Sequence, residues 1–314
     1  MNNNIIEIFD KFNVDCDNLF IIYDYLILDK KDEIENFIDL ISKEEKINEI
    51  KKGIFSIKIN KKYLLIIKND LLNDFENIYK FLLKNKNFDN FIFSFDLIKN
   101  IFSFCNLVLI FNDNSTFYSI KKKILINLFN FIKEKEKINQ IIFNEYSFTS
   151  IINKNNRKSC ISFHYRFFLL ENFKEYLNIN LINNLNTQKL NLKNSIFNLN
   201  DIENNIIFKD IENINLVNLK QNRNYHMWTY LNLLFNSEKT SEFEKKIILS
   251  YSIFLLKLCS WDYSSFSFII NNYYKIKNIN INLIIDEFNQ NFININQEHK
   301  NYILNLIEYL KKNK

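Results

Sequence analysis

The spacing of apolar residues predicts helices over the carboxy-terminal two thirds of the chain. Between residues 243 and 258, apolar side chains recur at helical intervals with charged residues between them. Residues 124–133 and 139–152 have the same pattern. The pattern therefore favours an all-α fold for this part of the protein.

The first hundred residues give a less regular pattern, and we treat residues 1–100 as an amino-terminal extension of mixed or helical structure. FIIYDYLIL at 20–28 is rich in aromatic and β-branched residues, which predicts a short strand. Residues 54–67 alternate weakly, which is compatible with a hairpin or a helix. A short β element near the amino terminus is therefore part of the expected fold.

Four segments of the chain align without gaps and indicate an internal repeat. Each carries a large apolar residue at its fifth position, and a worn fifth copy at 299–310 carries Ile303 there. These key residues are 43, 65, 38 and 37 residues apart, and the widest gap contains an Asn-rich insert at 178–200 that we expect to be a loop. A period near 38 fits two helices plus turns, so residues 101–314 are predicted to form an α-α superhelix, a tetratricopeptide-like solenoid of antiparallel helical hairpins. The four aligned segments are 116–125, 159–170, 224–235 and 262–273, with Ile120, Phe163, Trp228 and Phe266 as their key residues.

Composition narrows the function classes. With one Gly and no Pro, asparagine has to serve at turns and helix ends. A net charge of +5 is too small for a polyelectrolyte binder, so we expect no nucleic acid as partner. Four scattered cysteines predict no zinc site and no disulfide framework, and they fit a reducing compartment. No signal peptide or sufficiently long apolar run is visible, so a cytoplasmic protein without stable membrane insertion is expected.

Two turns carry cations where a helix would disfavour them. Arg157 and Lys158 precede a predicted helix, although cations are unfavourable at the positive end of the helix dipole. Arg223 stands just before Tyr225 and His226, at the matching turn of the next copy. A helix amino terminus with nearby cations is a good arrangement for a bound anion, and a diphosphate would gain from Lys, Tyr and His donors.

The units resemble the protein prenyltransferase alpha-subunit repeat, most closely the divergent branch called protein prenyltransferase alpha subunit repeat-containing protein. NYHMW at 224–228 is similar to the opening of that repeat, and Phe163 and Arg166 keep the aromatic and the Arg of its W-x-x-R element. Lys123 stands where the first copy would have Arg, and the segment from Glu145 resembles the start of the preceding helix. The third copy departs from the pattern, with Leu231 in place of the Arg, and so does the fourth, with Ile269.

The resemblance implies the alpha subunit of a heterodimeric enzyme that transfers a farnesyl or geranylgeranyl group from its diphosphate to a protein cysteine. It implies catalytic roles for Lys158, Tyr225 and His226, with Arg157 and Arg223 assisting diphosphate binding. It also implies three partners: a prenyltransferase beta subunit, the isoprenoid diphosphate, and a protein substrate with a cysteine in its carboxy-terminal region. The zinc and the prenyl pocket would belong to the beta subunit, so no cofactor is expected in this chain.

Simpler interpretations stand beside this one. The chain could be a non-catalytic helical-repeat scaffold for protein interactions. Arg157 and Lys158 would then be residues of a solvated turn, and Lys121–Lys123 a solvated helix face. Arg166 is expected to be structural, bridging neighbouring repeats through carbonyls or carboxylates. The pairing of Lys158 with Tyr225 and His226 at equivalent turns separates the two hypotheses, because a plain scaffold does not need it.

Overall fold

A computed structural model describes part of the chain, mainly its helical region. Four strands are described by their backbone in the first 70 residues, and helical residues follow from position 95 onward. The continuously described ranges are 24–28, 48–51, 54–58, 62–67, 114–156, 159–179, 202–220, 224–258 and 263–276, with isolated positions between 95 and 109, at 182, 190, 192 and 282, and from 301 to 312. Arg157, Lys158, Arg223 and Ile303 lie outside the described residues, as does most of the predicted loop at 178–200.

The amino-terminal extension contains a four-stranded sheet in the order β1-β4-β3-β2. β3 and β4 form an antiparallel hairpin, which resolves the choice between hairpin and helix for residues 54–67. β1 pairs parallel to β4 and confirms the strand predicted within 20–28. The sheet is larger than the short β element that we expected. The strands are β1 (Asp24–Leu28), β2 (Asn48–Lys51), β3 (Ile54–Lys58) and β4 (Lys62–Ile67).

The described residues from position 95 onward are helical and contain no strand, which confirms the all-α prediction for this region. Polar side chains define the helix starts, as expected for a chain without Pro punctuation: Asn114 and Asn224 each accept a hydrogen bond from a first-turn amide. The helices are α1 (Ser115–Ile126), α2 (Leu128–Phe131), α3 (Lys135–Asn155), α4 (Cys160–Phe173), α5 (Ile206–Lys220), α6 (Tyr225–Asn236), α7 (Glu242–Leu258) and α8 (Tyr263–Asn272), with short 3-10 turns at Lys174–Tyr176, Ile202–Asn204 and Tyr273–Lys275.

The chain divides into two compact units, residues 1–155 and 156–314. Within the second unit, α6 packs against both α4 and α8, while α5 packs against α7. Consecutive helices therefore alternate between two rows, as they do when helical hairpins stack. Superhelical curvature, and the division of the chain near residue 100, stay predictions.

The first row consists of α4, α6 and α8, and its neighbouring helices run parallel and in register. In the first half of α4 and α6, the rings of Phe163 and Tyr230 lie 5.6 Å apart. At the far end, the Ser237 hydroxyl donates a hydrogen bond to the Glu171 carboxylate. Contacts at start and end together require the two helices to point the same way.

The next pair in this row, α6 and α8, repeats the arrangement at equivalent positions. Trp228 and Phe268 pack with ring centres 5.7 Å apart, and Lys275 Nζ donates to Asn236 Oδ1 at 2.7 Å. Measured from the first residue of each predicted copy, these are the same positions as the α4–α6 contacts. The phased repeat inferred for the second unit is therefore present in its packing. The key residues Ile120, Phe163, Trp228 and Phe266 are all buried, as predicted.

The first copy begins two residues earlier than the sequence alignment placed it. Its helix is capped by Asn114, whose side chain accepts from the Thr116 amide at 2.8 Å. Counted from that cap, the key position falls on Tyr118, which is buried, and not on Ile120. The position of the Arg falls on Lys121, so our assignment of Lys123 to that place was wrong. Alignment by apolar residues alone missed the shift, because both Tyr118 and Ile120 face the core.

Candidate functional site

The predicted anion site lies at the helix starts of the first row. Because α4 and α6 are parallel and in register, their amino-terminal ends share one edge of the second unit. Both starts are capped: Ser159 Oγ accepts from the Ser162 amide at 3.0 Å, and Asn224 Oδ1 accepts from the Met227 amide at 3.2 Å. The remaining first-turn N–H groups have no intrahelical acceptor and carry the positive end of the helix dipole.

Tyr225 and His226 occupy the first turn of α6. Tyr225 is 69% exposed, a high value for an aromatic side chain. His226 is half-buried, and its ring meets that of Tyr225 edge-on with 5.8 Å between centroids. The next two residues, Met227 and Trp228, turn into the core and are buried. The first turn thus presents a phenol and an imidazole side by side, and the burial of Met227 and Trp228 fixes this turn against the core.

The three cationic members of the predicted site, Arg157, Lys158 and Arg223, lie outside the described residues. In the sequence, Lys158 immediately precedes the cap Ser159, and Arg223 immediately precedes the cap Asn224. The Ser159 amide donates a hydrogen bond to the Asn156 carbonyl at 3.0 Å. The structure thus brings Tyr225 and His226 together, and the approach of the cations to them stays a prediction.

Arg166 is structural, and its partner is a carboxylate, one of the two alternatives that we weighed. Its Nε donates to Asp210 Oδ1 at 2.6 Å, and both side chains are fully buried. The Tyr230 hydroxyl donates to the other oxygen, Asp210 Oδ2. One carboxylate of α5 therefore ties α4 to α6. Burial of the charges requires this pairing, since an isolated ion in the core would be very costly.

The first copy has a corresponding buried pair, which corrects our interpretation of Lys121–Lys123 as a solvated face. Lys121 is fully buried, and its Nζ lies 2.5 Å from Glu145 Oε2. Asn106 accepts a hydrogen bond from Lys121 and donates one to Glu145. The ammonium also lies 4.7 Å from the ring centre of Phe148. Of the three lysines, Lys123 is the exposed one.

A simple spacing rule relates these pairs. The cation stands seven residues after its own helix cap, at Lys121 and Arg166. The carboxylate stands 14 residues before the cap of the next copy, at Glu145 and Asp210. This signal was available in the sequence, but only once the caps were known. The sequence pattern alone predicts that Glu145 opens a helix and gives Asp210 no role, whereas Glu145 lies in the middle of α3.

Where the cation is lost, the carboxylate is lost as well. The cation position of the third copy holds Leu231, and the carboxylate position before the fourth copy holds Ile248. Both are fully buried. Apolar residues of this kind can substitute for a buried ion pair without loss of stability. The departure from the repeat pattern at Leu231 is therefore a matched substitution in the core.

The edge at Tyr225 and His226 has the chemistry of an anion site. A phenol hydroxyl and an imidazole N–H are donors that phosphate oxygens accept from readily, and the helix end adds to the attraction. Within the described ranges, no group of three or more His, Cys, Asp and Glu side chains could hold a metal ion. A search of the same residues finds no helix that is long and apolar enough to cross a bilayer.

No family model, curated protein or solved structure matches this chain.

Proposed function

We propose that the chain is the alpha subunit, or an alpha-like subunit, of a heterodimeric protein prenyltransferase. The observation that carries the proposal is the exposed Tyr225 beside the half-buried His226 at the start of α6, on the edge that α6 shares with α4. In the sequence, cations precede both helix starts, at Arg157, Lys158 and Arg223. The resemblance of NYHMW and of the phased copies to the prenyltransferase alpha repeat supplies the reaction class.

In this proposal, the edge binds the diphosphate of a farnesyl or geranylgeranyl donor. Lys158 is the compact point charge, while Tyr225 and His226 donate hydrogen bonds to the phosphate oxygens. Arg157 and Arg223 add positive potential around the site. As the bond between isoprenoid and diphosphate breaks, negative charge grows on the leaving group, and donors already fixed in place stabilise it. The row of buried contacts behind Trp228 is what would hold those donors in position.

The beta subunit supplies the rest of the reaction in this proposal. It holds the zinc and the prenyl pocket, and the acceptor is a cysteine in the carboxy-terminal region of a protein substrate. The complex would act in the cytoplasm. With 32 Phe and 16 Tyr in the chain, we expect apolar surface that the beta subunit covers.

A second candidate, a non-catalytic repeat scaffold, is favoured by a different observation. The residues that define the repeat, among them Phe163, Arg166 and Trp228, are all used in core packing. A scaffold would need these and nothing more. It would not need an exposed Tyr225 beside His226 at a helix start that a cation precedes in the sequence.

The deciding experiment is co-expression of the full chain with each prenyltransferase beta subunit of the same cell. Size-exclusion chromatography should show a stable one-to-one complex, whereas the chain expressed alone should aggregate. The purified complex should transfer an isoprenoid from its diphosphate to a cysteine-ended peptide in a single turnover. A well-behaved monomer that binds none of the beta subunits would favour the scaffold.

A further inference from the structure

A second pair of reactive side chains lies at the start of α4. Cys160 is the first residue of this helix and is partly exposed. Its Sγ lies 3.4 Å from Nδ1 of His164, one turn further along, and His164 is exposed. The repeat core explains neither side chain, since both point away from the buried face that holds Phe163 and Arg166.

The arrangement has the elements of a nucleophilic thiol. The thiolate is the reactive form of cysteine, and a helix amino terminus stabilises a negative charge there. An imidazole within hydrogen-bond reach can take the thiol proton, which is the geometry of a base-activated nucleophile. Exposure of both side chains gives a reagent access to the sulfur.

Cys105 provides a contrast within the same chain. It is fully buried, and burial raises its pKa to about 12, an effect that the nearby Lys121 ammonium only partly offsets. Such a thiol stays protonated and unreachable under ordinary conditions. Of the two cysteines whose surroundings the structure describes, one is therefore built to be inert and the other is accessible and paired with a base.

We propose that Cys160 is a thiol-modification site, with His164 as its activating base and low-molecular-weight disulfides as its substrates. The thiol proton passes to the His164 imidazole, and the thiolate attacks one sulfur of the disulfide R–S–S–R. A bond forms between Cys160 Sγ and that sulfur, while the original S–S bond breaks. The released thiolate R–S⁻ takes up the proton. Cys160 is oxidised to a mixed disulfide, and half of the small disulfide is reduced to a thiol.

This proposal is independent of prenyl transfer, but the two sites share an edge. Cys160 has the same position in α4 that Tyr225 has in α6, and these helices are parallel neighbours. A charged adduct on Cys160 would therefore sit beside the edge at which a diphosphate is proposed to bind.

The test uses the full native chain, oxidised glutathione as the probe and peptide mass mapping to assign each mixed disulfide. We expect Cys160 to react several-fold faster in the native chain than in the urea-unfolded chain, because only the folded helix holds His164 beside the thiol. Cys105 should react only after unfolding.

Two variants test the base. His164→Gln keeps a polar side chain that cannot take a proton and should lower the Cys160 rate several-fold. Thr229→Ala changes the equivalent position of α6 and should leave the rate unchanged. The proposal is overturned if native Cys160 reacts no faster than in the unfolded chain, or if His164→Gln reacts as fast as the wild type. Because no beta subunit is present, neither result bears on the proposed prenyl transfer.

Discussion

The rings of Trp228 and Phe268 lie 5.7 Å apart at an interplanar angle of 42°, and those of Phe163 and Tyr230 lie 5.6 Å apart at 43°. The same aromatic packing contact, which we call a joint, thus occurs twice, once between α4 and α6 and once between α6 and α8. Aromatic pairs at such distances contribute about 0.5–1.5 kcal/mol beyond the area that they bury. Because both the residue class and the geometry of this contact are preserved, we infer that these aromatic contacts hold neighbouring copies together.

The first prediction concerns the joint at Trp228. Trp228→Ala should lower the free energy of unfolding by about 3–5 kcal/mol, through lost transfer energy and a cavity. Arg223 stands two residues before the exposed Tyr225, and we expect a solvated turn there, so Arg223→Ala should cost less than about 1 kcal/mol. Urea unfolding followed by circular dichroism measures both. Equal losses would show that core and surface have been confused.

The second prediction concerns the buried pair of Arg166 and Asp210. Removing one charge leaves the other buried without compensation, so Arg166→Leu should cost about 3–5 kcal/mol. The combined change Arg166→Leu, Asp210→Ile and Tyr230→Phe should recover most of that loss, because it copies the apolar pair found at the next joint. If the triple variant is no more stable than Arg166→Leu, the two joints are not equivalent.

The third prediction tests the corrected start of the first copy. Lys121→Met should cost about 3–5 kcal/mol, since it leaves Glu145 buried and unpaired. Lys123→Met, two residues along the same helix, should change stability by no more than about 0.5 kcal/mol because Lys123 is exposed. Denaturant unfolding of the two variants gives the comparison. If Lys123→Met proves more destabilising than Lys121→Met, the alignment made from the sequence, which puts Lys123 at the cation position, would be correct.

The fourth prediction follows from Cys105. Its pKa is about 9.0 when unfolded and is raised to about 12 by burial, so between these values the native thiol keeps a proton that the unfolded chain has lost. The native state then binds more protons, and stability falls as pH rises through this window. The decline from this group should approach about 1.4 kcal/mol per pH unit. Wild type and Cys105→Ala should therefore diverge in the pH dependence of unfolding above pH 9, and parallel curves would argue against a buried thiol.

The fifth prediction addresses the proposed diphosphate site. Lys158→Ala should leave stability unchanged or slightly raised, because a cation leaves the positive end of a helix. It should slow single-turnover prenyl transfer by about tenfold to a thousandfold in complexes matched for assembly, the scale of losing one transition-state contact. Tyr225→Phe and His226→Ala should act in the same direction and less than additively. Normal turnover in Lys158→Ala with an intact complex would mean that the turn is merely solvated.

The sequence predicted the helical class, the phase of the copies in the second unit and the burial of the key residues, because apolar spacing reports directly on which side of a helix faces the core. It misplaced the first copy by two residues, since that spacing does not distinguish Tyr118 from Ile120 and only the cap at Asn114 does. It also treated Lys121 as solvated. A charge can be buried only beside its partner, and Glu145 lies 24 residues away, too far to be recognised from local pattern.

The matched losses at Leu231 and Ile248 also limit how this chain can change by duplication or deletion. The helix that carries Arg166 must be followed by a helix with an acidic residue, whereas the helix that carries Leu231 must be followed by one with an apolar residue. A deletion that removed α5 together with α6 would set Arg166 against Ile248 and bury a lone cation, so a recombination event that kept the reading frame and the helix lengths would still fail. The copies have become an ordered series, in which each accepts only its present neighbour.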